Sequence, residues 1–276
     1  MSKRVAITGI GVVSPFGCGR AKFWDELSSG ASAIRTVETL DLSPSPARKG
    51  AEITDFHPDE YLGSKGLKYV ERGTKLLSVA IQQALEDAGL EEDDDILGET
   101  GLVVGTGHGN FAQTTDYTQK IMTGNPAELL PMDGFDAALN SASNFAAVRF
   151  RLKACTRTIS SGFASSTDAL GSAAWMIRTG QARRVLAGGM EQLSLDVFLL
   201  SSLNGQIAEG EGDGLSMPFD RRRCGFVLGE GSYILALEDR EDAERRGARV
   251  YGELVGYSSL FTGAAGREGI FERVME

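Results

Sequence analysis

Cysteine is scarce in this chain of 276 residues: Cys18, Cys155 and Cys224 are the whole set, and none stands in a CxxC spacing. So odd and sparse a set excludes a disulfide framework or a structural zinc site, and a reduced cytoplasm suits it best. Histidine is scarcer still. Only His57 and His108 can move protons near neutral pH, which limits the acid/base chemistry on offer. Basic charge is in deficit, with 28 Lys and Arg against 38 Asp and Glu and a formal net charge of −10. That balance repels nucleic acid and anionic membranes. Long apolar runs are missing too: no stretch approaches the roughly 18 residues a membrane-spanning helix needs. The apolar opening, residues 5–13, is broken by glycine and lacks a small-residue cleavage signature, so it reads as a buried strand and not a secretory leader. What is present is an ordinary globular composition, 42% hydrophobic and 24% charged, with 35 glycines that imply tight turns and close backbone approaches.

Along the chain, strand and helix patterns alternate. The run from Arg4 to Gly9 predicts a strand buried on both faces, and a helix follows from Ala21 to Ser28. Residues 30–65, rich in Ser, Pro and Asp, read as a long surface excursion. Between Tyr69 and Ala88, Leu77, Ala80, Ile81, Ala84 and Leu85 recur at helical spacing, and Gly89 supplies the expected stop. The five acids from Glu91 to Asp95 lack the central glycine of a calcium loop and read as a solvated turn. Further strands are expected at Gly101 to Gly105, Arg157 to Ser160, Arg184 to Ala187, Phe226 to Leu237 and Arg249 to Val255. Helices are expected at Phe135 to Phe150, Ser165 to Thr179 and Glu241 to Arg246. The alternation implies a layered α/β sheet.

Three segments could carry chemistry. Gly9-Ile-Gly11 follows a strand like a dinucleotide fingerprint, but the third glycine and the distal acid are missing, so a plain turn is favoured over nucleotide binding. Gly105-Thr-Gly107-His-Gly109 also follows a strand, without the Lys-Ser/Thr pair of a phosphate loop, and backbone crowding explains its glycines better. The turn from Ser160 to Ser166 leads from a strand into a helix of small residues, where a nucleophile would feel the positive end of the helix dipole. No GxSxG motif accompanies it.

The segments Arg4 to Gly17, Gly105-Thr-Gly107 with Pro126, Pro131 and Asn140, Val185-Leu-Ala-Gly-Gly189, Met217 to Arg221, Gly225 to Gly231 and Arg249 to Gly256 occur in the order of a known family. In them the chain resembles the β-ketoacyl-acyl carrier protein synthases of the thiolase superfamily, almost from end to end. The resemblance implies a thiolase-like layered α/β fold, specifically its N-terminal half with a mixed sheet between helices, over residues 1–256. Residues 257–276 would be an extension in place of the second half. An ungapped count back from Val185 to Gly189 places the family's catalytic cysteine at Phe163, and a phenyl ring cannot be acylated. The same count makes Cys155 a bystander eight residues earlier, and Cys224 sits where the family usually has an acid.

Without the nucleophile, and without the two histidines and lysine of the family's other half, condensation would lose covalent acyl transfer and oxyanion stabilisation. The resemblance therefore points to chain-length factors, silent subunits that pair with an active ketosynthase in type II systems, as an obligate heterodimer in the cytoplasm. No cofactor and no metal is implied. Met132 and Asp133 fall where synthases reach into the partner's acyl tunnel, and His108 lies by the same wall, where it could pair with Asp133. Arg221, Arg222, Arg223, Arg245, Arg246 and Arg249 are a conceivable docking patch for acidic carrier protein, set against a plainly solvated surface. Two rivals stay open: an acyltransferase using Ser161, Ser165 or Cys155, and a nucleotide-binding protein built on Gly9 and Gly11.

Overall fold

The computed structural model describes residues 3–90, 94–124, 129–208 and 216–260. The chain opens with β1 (Val5–Ser14), β2 (Gly17–Cys18) and α1 (Arg20–Ser28), followed by the short β3 (Arg35–Thr36), β4 (Lys49–Gly50) and α2 (Pro58–Leu62). Its middle holds α3 (Arg72–Ala88), α4 (Asp94–Gly98), β5 (Thr100–Gly105), α5 (Phe111–Thr123), α6 (Pro131–Asp136) and α7 (Ser141–Arg149). Then come β6 (Thr156–Ile159), α8 (Ser165–Arg178), β7 (Arg184–Glu191), α9 (Leu195–Leu203), β8 (Gly231–Asp239), α10 (Arg240–Arg245) and β9 (Gly252–Glu253).

The main sheet runs β2-β1-β8-β7-β5-β6, with β9 added to β1. It is mixed: β8 lies antiparallel to both β1 and β7, whereas β5, β6 and β7 are parallel. Every residue of β5 is buried, because Leu102 and Val104 face a core shared with α3 and α7 while Val103 faces a second core under α8. A strand covered on both faces carries apolar side chains on both, which is why Leu102, Val103 and Val104 form an unbroken run and not an alternation. The result is helix, sheet, helix, in agreement with the expected layered α/β fold.

The glycines of β1 belong to packing. A Cβ on Gly11 would overlap the Ala80 carbonyl of α3, and one on Gly9 would overlap the Ala84 carbonyl. The helix backbone fills the place a pyrophosphate would need, so the nucleotide-binding reading of Gly9 and Gly11 has no seat. Further along, Glu238 is wholly buried at the end of β8, where it accepts from Thr8 and meets Arg184 Nε at 3.2 Å and the Arg246 guanidinium. A buried charge is tolerated only when paired in this way.

Several expectations need correction. The single helix from Phe135 to Phe150 is two, α6 and α7, because Asn110 Nδ2 and Thr114 Oγ1 take the Asp136 and Ala137 carbonyls at 2.6 Å and 2.9 Å and end α6. The excursion over 30–65 is not all surface. Val37, Leu42 and Ala47 are buried in a third core with Val197, Phe198 and Leu228. The strand expected to begin at Phe226 starts at Gly231, and the strand from Arg249 to Val255 shrinks to β9. Pro126 and three of the five acids, residues 91–93, lie outside the described residues, as does the expected extension beyond Leu260.

Replacing Gly11 by Ala should force α3 off the sheet. An overpacked contact of this kind costs about 1–3 kcal/mol, and occasionally more, readable as a lower urea midpoint at unchanged slope. A variant as stable as the parent would show that the α3 contact yields without strain.

Candidate functional site

Three parallel strands end on one edge of the sheet. Gly105 pairs with Ile159 of β6 and with Gly189 of β7, so the segments that follow these strands converge at their carboxyl ends, where open α/β sheets bind ligands. The first turn of α8 is pressed onto the same edge. A Cβ on Gly105 would overlap the Ser165 backbone, and one on Gly189 would come within 2.8 Å of Ser166 Cβ. Backbone crowding does explain Gly105, as expected.

The turn from β6 into α8 carries Phe163. Gly162 adopts φ +67°, a conformation that costs an L side chain, and a single tight turn over Gly162–Ala164 leads into the helix. Ser165 Oγ is buried beneath it, donating to the Gly162 carbonyl at 2.6 Å and accepting the Ser161 N–H at 2.9 Å. The Ser161 hydroxyl donates to Asp168, which also accepts from the Tyr257 hydroxyl, and these bonds hold the Asp168 carboxyl below its ordinary range. Phe163 is 78% exposed, with its ring edge-on to Phe226 at 5.2 Å.

Beside this turn lies Glu191, the last residue of β7, which sequence reasoning missed. Its carboxylate accepts from Thr106 Oγ1 at 2.6 Å, from the Gly107 N–H at 2.8 Å and from the His108 N–H at 3.2 Å. His108 Nδ1 stands 3.3 Å from the same carboxylate, and this bond pushes the imidazole pKa above its ordinary value. The one available signal was an acid closing a strand just after Gly188-Gly189. The expected partner of His108, Asp133, turns elsewhere: it accepts the Leu130 N–H at 3.0 Å and meets Lys120 Nζ at 3.5 Å.

His108, Phe163 and the end of α6 form one neighbourhood. Ser160 Oγ donates to the Gly107 carbonyl at 3.5 Å, and Asn110 Nδ2 bonds the Asp136 carbonyl on the other side of the same loop. Met132 and Phe135 are exposed on α6. Cys155 is not part of this group: it precedes β6, at the opposite end of that strand, with Sγ 3.9 Å from Met176 Sδ. Burial pushes its thiol pKa up, which makes it a poor nucleophile. His57 pairs with Asp55 at 2.9 Å, on the surface.

The arginines are mostly spoken for. Arg222 pairs with Asp220 at 3.0 Å, Arg245 pairs with Asp242, and Arg246 reaches inward to the buried Glu238. Arg249 lies 4.5 Å over the Tyr251 ring. Arg221 and Arg223 are exposed, and the Arg223 guanidinium donates to the Asp220 carbonyl at 3.0 Å.

The His108–Glu191 pair should leave a signature in pH. A histidine whose folded pKa is raised binds its proton more tightly folded than unfolded. Its contribution is therefore complete below the unfolded value of about 6.5 and is lost as pH rises through the folded value. Urea titrations from pH 5 to 8 should show stability falling across this window, and His108→Gln should flatten that fall. An identical profile in the variant would remove the pair as its cause.

The sequence matches the family model described as beta-ketoacyl synthase, N-terminal domain, over residues 2–243. A 3-oxoacyl-[acyl-carrier-protein] synthase 2 from Synechocystis sp. is 31% identical over 259 residues, covering 93% of this chain and 62% of the relative. Among solved structures, the ishigamide ketosynthase/chain length factor aligns with a TM-score of 0.81 at 28% identity, over 93% of this chain and 63% of that one. A type II PKS acyl-carrier protein in complex with its ketosynthase bound to the hexaketide aligns with a TM-score of 0.80 at 28% identity, over 94% and 64%. The chain thus spans less than two-thirds of the length of these relatives. Its mixed sheet between helices is a thiolase-like ketosynthase arrangement, and the chain belongs to the β-ketoacyl synthase family.

Proposed function

We propose that this chain is a catalytically silent, chain-length-factor-like subunit that pairs with an active β-ketoacyl-ACP synthase and shapes its acyl tunnel in type II fatty acid or polyketide biosynthesis. The observation that carries the reading is Phe163, whose ring stands at the head of α8, the place to which the ungapped count assigns the family's nucleophile. A benzene ring has neither a proton to lose nor a lone pair to attack a thioester. At that place it acts as a steric plug, and it cannot hydrogen-bond as a polar substitute would.

Exposed apolar side chains support pairing with another subunit. Met122, Leu130, Met132 and Phe135 all face solvent on α5, on α6 and just before α6, and Phe135 is 70% exposed. Apolar surface of this kind marks protein interfaces, and aromatic and Met side chains are typical of their centres. In this reading Met132 and Asp133 sit by the partner's tunnel, with Asp133 neutralised by Lys120. For carrier protein, Arg221 and Arg223 are the better-supported contacts, because Arg222, Arg245 and Arg246 already hold acids.

The acyltransferase reading has less behind it. Ser161 has a carboxylate beside it, but Asp168 is held in its charged form and is a weak base for a hydroxyl. Ser165 is buried in the turn, and Cys155 is at the other end of β6.

Co-expression with an active synthase should give a stable complex on size exclusion, and incubation with acyl-loaded carrier protein should leave no covalent mass on this chain. A well-behaved monomer that ignores the synthase would overturn the pairing. An acyl adduct mapped to Ser161, Ser165 or Cys155 would overturn the silence.

A further inference from the structure

The loop that carries His108 is held by several hydrogen bonds at the carboxyl edge of the sheet. Glu191 fixes it through the Thr106 hydroxyl, two backbone N–H groups and the imidazole, and the Gly109 N–H returns to Thr106 Oγ1 at 2.8 Å. The ring is thereby oriented through Nδ1, as a carboxylate orients a working imidazole elsewhere. Nε2 has no hydrogen-bond partner among the described residues, and the side chain is one-quarter exposed, at 25%. The same loop touches the Phe163 turn through Ser160 and the end of α6 through Asn110.

We infer that His108 is a specificity-determining residue, whose Nε2 holds the oxygens of a β-keto acyl chain passing the Phe163 turn and so favours oxygenated chains over saturated ones. The inference rests on the subunit reading, and adds the class of chain the shaped tunnel takes. Its chemistry does not depend on one protonation state. A protonated ring donates Nε2–H to a keto oxygen, and a neutral ring with its proton on Nδ1 accepts the hydroxyl of the enol form. The bond from Glu191 favours the protonated ring. A methylene in the same place offers neither partner, so a saturated chain would cover Nε2 and leave a polar atom unpaired, which is the penalised arrangement.

The test uses the complex with an active synthase and two probes of equal length, octanoyl-pantetheine and 3-oxooctanoyl-pantetheine, with dissociation constants from calorimetry. The parent complex should prefer the 3-oxo thioester by about tenfold, as one well-placed hydrogen bond allows. His108→Leu should abolish the preference, and His108→Gln, which keeps a polar amide there, should restore most of it. As a measurement free of substitutions, the His108 Nε2 resonance should shift on adding the 3-oxo thioester and not on adding the saturated one. A complex that forms but shows no preference, a preference that survives His108→Leu, or a silent Nε2 resonance would each overturn this inference and leave the subunit reading standing. Failure to form any complex would overturn both.

Discussion

The close seating of a helix end on two glycines organises the functional edge of this molecule. The first turn of α8 rests on Gly105 of β5 and Gly189 of β7, and any side chain at either position would collide with it. Because interiors are packed to crystal density, such a contact leaves no slack. It sets where the β6-to-α8 turn emerges, and so where Phe163 stands. The left-handed Gly162 and the buried Ser165 hydroxyl then hold the shape of the turn from within.

A second constraint meets the first at Glu191. One carboxylate gathers donors from a loop more than eighty positions earlier in the chain and ties it to the end of β7. The edge therefore brings the aromatic turn of Phe163 beside a polar loop held by Glu191, the two joined through Ser160 and Gly107. In the subunit we propose, which would guide a chain without reacting with it, wall shape and wall polarity would be the two available levers. On that proposal Phe163 and Met132 would act on the first, and His108 on the second.

The layered class was legible because its signals are local and repeated. A strand covered on both faces carries apolar residues on both, as β5 does at 102, 103 and 104, and α3 shows its helical period and its glycine stop. The family resemblance was equally legible, since several motifs occur in one order, and it led to Phe163. What failed to show were features set by distant partners. The break between α6 and α7 comes from side chains of 110 and 114 capturing carbonyls, and no spacing within 135–150 encodes it. The buried part of the 30–65 excursion was hidden because its apolar residues are few and meet α9 only in space.

The sequence by itself determined which reactive groups the chain carries and where it carries none: a phenyl group at position 163, two histidines, three scattered thiols. These are properties of side-chain chemistry and order along the chain, which folding then tunes, as burial does in pushing the Cys155 thiol pKa up. Only the tertiary structure decided partnership. It sent Arg246 inward to Glu238, gave Glu191 and not Asp133 to His108, and filled the Gly9 and Gly11 cleft with helix backbone. Each of these is a choice between groups far apart in sequence, made by desolvation and packing, which act on distances in space and not on positions along the chain.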